Sequence, residues 1–283
     1  MIKNILKGAV MGVANIIPGV SGGTMAVSMG IYDKLIYALT HLRKEFKKSI
    51  QFLIPILLGA VIAIVALSFV IEWLFDHYPL QTNFLFIGLI IGGLPAILKK
   101  VKGKKPTGGM IVAFLLFFAI VVGMACTGVS ESSSGSGADV SFSIVNLFVL
   151  FGVGIIAAAT MVIPGVSGSM ILMLLGFYEP IISSISDFVR ALTKFDVAGI
   201  AAGCGTLIPF GLGCVIGIFA IAKGIEIIFE RWPMLAYYAI IGLIVASPVA
   251  ILIMSEATVT VSAALVSVVT FVIGGLCAYK LSE

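Results

Sequence analysis

The sequence predicts an all-α polytopic membrane protein built from two inverted-topology repeats. Each repeat holds a broken or re-entrant helix hairpin followed by three transmembrane helices. Three observations predict this. Apolar residues make up 60% of the 283-residue chain and charged residues only 11%, too little polar surface for a soluble domain of this size. The apolar runs reach the roughly 20 residues that cross about 30 Å of hydrocarbon, and they do not alternate as barrel strands do. Finally, Asn15-Ile-Ile-Pro-Gly-Val-Ser-Gly-Gly-Thr24 returns as Met161-Val-Ile-Pro-Gly-Val-Ser-Gly-Ser-Met170. Paired helix breaks at corresponding positions of two halves point to a transport site.

In chain order, each motif is flanked by two apolar arms. In the first copy these are Ile2–Ile17 and Thr24–Leu39. At 1.5 Å per residue each spans only about 24 Å, so a re-entrant hairpin fits better than two crossings. In the second copy the arm Ile144–Ile163 is long enough to cross. Full spans are expected at Ile50–Ile71, Phe84–Leu98 (short) and Gly109–Thr127, then at Ile200–Ala222, Met234–Met254 and Thr258–Tyr279. The polar loop Gly128–Val140 divides the halves. The chain thus reads as one transmembrane domain, with repeats at about 1–127 and 141–283 and a linker at 128–140.

The repeat extends past the motifs. Ile54-Pro55 and Gly59 match Ile208-Pro209 and Gly213, Pro79 matches Pro233, and Gly88-Leu-Ile90 matches Gly242-Leu-Ile244. A hairpin returns the chain to its starting side, and three more crossings then invert the second half. Lysine asymmetry agrees. Lys3, Lys7, the Arg43–Lys48 loop, the Lys99–Lys105 loop, Lys223, Arg231 and Lys280 fall on one side, read as cytoplasmic, together with both termini. The net charge of +4 is loop lysine of this kind and implies no nucleic acid. The four cysteines are isolated, without metal-ligand spacing, and nothing in the sequence calls for a cofactor or a metal.

Pro18 and Pro164 lack an N–H and bias the preceding residue away from helix. Gly19 and Gly165 can take backbone angles closed to other residues. Ser21 and Ser167 are natural N-caps for the helices that follow. Each motif therefore predicts a helix N-terminus within the membrane. Such an end carries about +0.5 of a charge and binds anions. Gly22, Gly23, Thr24, Gly168 and Ser169 leave room for a ligand and add hydroxyls, and Asn15 adds an amide without a polar counterpart at Met161. The plainer reading, that small residues let helices approach closely, does not require a helix break.

Asp33 and Glu179 occupy matching places after Gly30-Ile-Tyr and Gly176-Phe-Tyr. They are candidate coupling or gating groups for a proton or sodium ion, or else interfacial charges at the arm ends. Arg190 is a further candidate, steering an anion at the outer surface. Glu72 and Glu226, near Trp73, Tyr78 and Trp232, read as interfacial anchors. His41 and His77 sit in or beside loops, with no catalytic constellation around them.

The run from Gly12 to Ala26 followed by Gly30-Ile-Tyr, with the second Pro-Gly-Val-Ser-Gly-Ser copy, resembles the signature of the bacterial and archaeal PopT-like polyprenyl-phosphate transporter family. The resemblance covers nearly the whole chain. It implies a flippase that returns undecaprenyl phosphate, or a related polyprenyl phosphate, from the outer to the inner leaflet of the cytoplasmic membrane. The carrier lipid would then be reused in envelope polymer synthesis. It also implies re-entrant hairpins. The partners expected are this lipid and the surrounding membrane lipids, and no enzymatic activity is expected. Two other readings stay open: a transporter or exchanger for a small soluble anion, and an enzyme acting on lipid phosphates.

Overall fold

The computed structural model describes residues 1–16, 21–126, 138, 140, 143–166, 168–255, 257 and 260–282. Among them the chain forms twelve helices and no strand. The first half holds α1 (Ile2–Ile16), α2 (Gly22–Ser28), α3 (Tyr32–Thr40), α4 (Phe46–His77), α5 (Pro79–Val101) and α6 (Gly108–Cys126). The second holds α7 (Ile144–Val162), α8 (Gly168–Leu174), α9 (Tyr178–Lys194), α10 (Val197–Arg231), α11 (Pro233–Met254) and α12 (Val261–Ser282). Among the described residues, seven helices are long and apolar enough to cross a membrane: α4, α5, α6, α7, α10, α11 and α12. The chain is a multi-pass membrane protein.

The arm after each motif is not one rod, as Thr24–Leu39 was expected to be. It is two helices with a turn between them. In the first copy the amide of Ile31 donates to Ala26 O and that of Gly30 to Val27 O, both at 2.9 Å. In the second, Phe177 donates to Leu172 O and Gly176 to Met173 O, again at 2.9 Å. These are Schellman caps, which need a left-handed residue at the turn. Gly30 (φ 66°) and Gly176 (φ 76°) supply it. The bend between α8 and α9 is 109°.

Span ends also move outward in α4, α5 and α10, whereas α12 starts at Val261 and not at Thr258. The segment expected as Phe84–Leu98 is the 23-residue helix α5. Pro79 stands at its first turn, where the missing N–H is harmless and the fixed φ is already helical. Polar side chains then stay in the helix by bonding back to it, as Thr82 Oγ1 does to Tyr78 O at 2.8 Å. Pro233 opens α11 in the same way. Likewise α4 and α10 run unbroken for 32 and 35 residues through Pro55 and Pro209.

The chain divides into two compact units. The first comprises Met1–Gly128, Ile163–Val166 and Ala222–Glu283. In it α1 packs on α4, α12 on α5 and α6 on α11, while α2 lies against α1 and α5. Apolar burial drives little association in lipid, so backbone proximity must carry the packing. The α1–α4 seam shows this: a Cβ at Gly8 would strike the Ile56 carbonyl, and one at Gly59 the Ile5 carbonyl. A core of Val121, Ala125, Leu243, Ala246 and Ala250 joins α6 to α11, and Ile163 packs against it.

The second unit comprises Val129–Val162 and Ser167–Ile221. There Gly154 of α7 closes on the Phe210 carbonyl of α10, and Gly213 of α10 on the Phe151 carbonyl of α7. Val153 and Ala157 of α7, Leu172 of α8 and Ile181 of α9 form its core.

Candidate functional site

A broken helix in lipid leaves amides and carbonyls that must find partners inside the protein. For the described residues of the first motif those partners can be named. Ser21 is the N-cap of α2, with extended backbone angles of −117° and 147°. Its Oγ accepts from the Thr24 amide at 3.2 Å, and its carbonyl accepts from the Met25 amide at 3.3 Å. The Gly22 amide donates to Asn15 Oδ1 at 2.9 Å. Asn15 thus satisfies an α2 amide from the end of α1, and this use of it explains the polar residue there. A side chain at Gly22 would press on this amide group, with an added Cβ 3.0 Å from both terminal atoms of Asn15.

The second motif reaches this same point. The Gly165 amide donates to Thr24 Oγ1 at 2.8 Å and to Ser21 Oγ at 3.2 Å. The two hydroxyls lie 3.1 Å apart and share a hydrogen bond. Gly165 has φ 79°, and a Cβ there would sit 3.1 Å from the Leu243 carbonyl. Ser21 and Thr24 are buried, as is every residue of α2, Gly23 included. The structure therefore brings Asn15, Ser21, Gly22, Thr24 and Gly165 together. Gly168 and Ser169 lie in the second unit, where Gly168 is buried against Met161 and Ala157 and Ser169 is half-buried. Gly19 and Ser167 lie outside the described residues, as do most of the 128–140 linker and the Glu72 side chain.

The far end of α2 is held by a residue that sequence reading put among the cytoplasmic loop charges. Lys7 is buried on α1, and its ammonium donates to Met29 O at 2.8 Å. Met29 is the C-cap of α2, where the carbonyls point outward and a cation is favoured. The sequence signal was a lysine on the arm that meets this hairpin.

The paired acids are placed differently. Asp33, in the first turn of α3, is bonded by Lys100 Nζ at 3.3 Å and by the Tyr237 hydroxyl at 3.2 Å. Glu179 is exposed in the first turn of α9. Arg190 is exposed beside Asp187 at 3.6 Å on the same helix.

Glu226, expected to be an interfacial anchor, is instead a buried tie between α3 and α10. It accepts from Thr40 Oγ1 at 2.9 Å, faces His41 Nδ1 at 3.2 Å and pairs with Lys223. Among the described residues, no group of three His, Cys, Asp or Glu is placed to hold a metal ion.

A model of the VCA0040-like family, described as undecaprenyl phosphate translocase-like, matches residues 11–269 of this chain. The chain belongs to this family. A protein of Staphylococcus aureus (strain NCTC 8325 / PS 47), named a polyprenyl-phosphate transporter, is 30% identical over 281 residues, which is 99% of this chain and 95% of that protein. A protein of the same name from Vibrio cholerae serotype O1 (strain ATCC 39315 / El Tor Inaba N16961) is 27% identical over 245 residues, 82% of this chain and 71% of that one. No solved structure matches. The match to the translocase-like family spans both Pro-Gly motifs, both Schellman turns and the Asp33, Lys100 and Tyr237 cluster. Lys7 lies just before it.

Proposed function

We propose that this chain is a flippase for undecaprenyl phosphate or a related polyprenyl phosphate. It moves the lipid from the outer to the inner leaflet of a prokaryotic cytoplasmic membrane for carrier recycling, and it performs no chemistry on it. The observation that carries this reading is the junction at which the Gly165 amide meets the Ser21 and Thr24 hydroxyls. Its three polar groups satisfy one another in a closed state. A phosphate monoester offers strong acceptor oxygens, and when the breaks part it takes the Gly165 and Gly22 amides and both hydroxyls, releasing Asn15. Gly19 and Gly23, in the same motif as Ser21 and Thr24, supply further backbone contacts. The tail stays in lipid.

The alternating movement rests on an inverted repeat of about 1–127 and 141–283. Several features support it. The helix bounds Gly22–Ser28 and Gly168–Leu174, and the turns at Gly30 and Gly176, recur at one constant offset. The later helices also exchange partners, α5 with α12 and α11 with α6. With the lysine-rich loops inside, both termini are cytoplasmic. An ion gradient acting through Asp33, Glu179 or Arg190, or consumption of the lipid inside, drives net flow.

The test is binding in nanodiscs together with leaflet exchange in liposomes. Polyprenyl phosphate should bind and exchange, polyprenol of the same tail should not, and inorganic phosphate should compete poorly, because the membrane concentrates an anchored headgroup at the site. Equal affinity for polyprenol and polyprenyl phosphate overturns the headgroup mechanism. Transport of soluble anions alone overturns the lipid substrate.

A further inference from the structure

Away from the junction, three helices aim polar groups at one point. Lys100 comes from the last turn of α5, Tyr237 from the first turns of α11, and Asp33 from the first turn of α3. The ammonium and the phenol hydroxyl both donate to a single oxygen, Asp33 Oδ2, at 3.3 and 3.2 Å. The Lys100 nitrogen also stands 5.9 Å above the Tyr237 ring. Tyr237 is held in place by Phe229, 5.2 Å away in an edge contact, and Phe229 in turn touches the buried Tyr32 ring at 6.4 Å. The cleft around these groups has apolar walls from Val27, Ile97 and Ile240.

We propose that Lys100 and Tyr237 form a second phosphate-binding site, for the headgroup of the transported lipid, and that Asp33 is a resident anion which the phosphate displaces. The proposal rests on the substrate class proposed above. Two donors converging on one anionic oxygen is the arrangement a phosphate oxygen also satisfies. The Asp33–Lys100 pair is easily opened: its side chains are 44% and 55% exposed, and such pairs hold weakly. A phosphate monoester carries about −1.5 to −2 charges at neutral pH against one on the carboxylate, so it competes well for the ammonium. Asp33 also begins α3, directly after the turn at Gly30. Its displacement cuts a tether between the hairpin and helices α5 and α11, so arrival of the headgroup frees the hairpin to move. With the lysine-rich loop that follows α5 in the cytoplasm, this is the inner-leaflet site.

The experiment measures binding of radiolabelled farnesyl phosphate to full-length protein in nanodiscs, with thermal unfolding as the control for folding. Asp33→Asn removes the competitor and keeps the shape. It should bind several-fold more tightly than the wild type. Lys100→Gln should bind about tenfold more weakly or worse, the loss expected for one charged hydrogen bond, and Tyr237→Phe should weaken binding less. Excess inorganic phosphate should leave the label in place.

Asp33→Asn binding no more tightly than the wild type overturns the resident-anion role, and full affinity in Lys100→Gln overturns the site. Both results leave the lipid substrate standing. Displacement by inorganic phosphate at matched concentration makes this a free-phosphate site and overturns its assignment to the lipid. Failure of the wild type to bind farnesyl phosphate and longer polyprenyl phosphates alike overturns this proposal together with the substrate class.

Discussion

The Gly165 amide and the Thr24 hydroxyl, 141 residues apart in sequence, are joined by a 2.8 Å hydrogen bond. It links the break in one half of the chain to the first turn of the half-helix in the other. Ser21 Oγ shares the same donor at 3.2 Å. Each hydroxyl can therefore partly cover for loss of the other. Thr24→Val and Ser21→Ala should each lower stability by about 1 kcal/mol. The double variant strands the Gly165 N–H and should lose more than the sum. Thermal unfolding in detergent reads this directly, and strict additivity would show that the junction does not act as a unit.

The turns that follow the half-helices give a second expectation. Gly30 and Gly176 hold the left-handed positions of the two Schellman caps, where a side chain costs about 1–2 kcal/mol. Gly30→Ala and Gly176→Ala should each destabilise by that amount and slow lipid exchange, because the hairpin arm loses its corner. Gly165→Val faces both a φ of 79° and the Leu243 carbonyl at 3.1 Å, and should abolish exchange. A folded, fully active Gly165→Val protein would show that the break is dispensable.

The membrane class, the long helices and the pairing of the two motifs were all legible in the sequence, because each leaves a one-dimensional trace of composition, run length or repetition. The cap at Ser21 was legible for the same reason. Gly30 and Gly176 were visible as matched residues, yet the turn was missed because the apolar run continues straight through it, and in a chain this apolar hydropathy does not report direction. The start of α5 was trimmed where polar residues begin, at Gln81-Thr82-Asn83, although Thr82 bonds back to Tyr78 O and Asn83 across to Ser255 Oγ. Lys100, Tyr237 and Glu226 escaped notice as partners because what unites them with Asp33, Thr40 and His41 is contact between distant helices, which no spacing encodes.

Orientation can be checked by accessibility. Cysteines replacing Lys47 and Lys102 should react with an impermeant thiol reagent only from the cytoplasm, and one replacing Thr193 only from outside. The native Cys126, Cys204, Cys214 and Cys277 would first be changed to Ala or Ser. Labelling of Lys102 and Thr193 positions from the same side would remove the inversion between the halves and with it the alternating mechanism.

The last prediction concerns the buried ammonium of Lys7. Its nitrogen donates to Met29 O at 2.8 Å while the side chain is 7% exposed. At the C-terminal end of α2 it meets the negative end of the helix and satisfies a carbonyl that lipid cannot. Helix-end cations in partly buried settings contribute up to about 2 kcal/mol. Lys7→Gln can keep a hydrogen bond but not the charge, whereas Lys7→Met loses both. Stability should fall in the order wild type, Lys7→Gln, Lys7→Met. Exchange should fall in the same order, because α2 carries Ser21 and Thr24 at its other end and their meeting with Gly165 depends on its position. Thermal unfolding and liposome exchange on the same preparations check the two orders together. A Lys7→Met protein as stable and as active as the wild type would show that α2 is held without this bond, by its packing on α1 and α5.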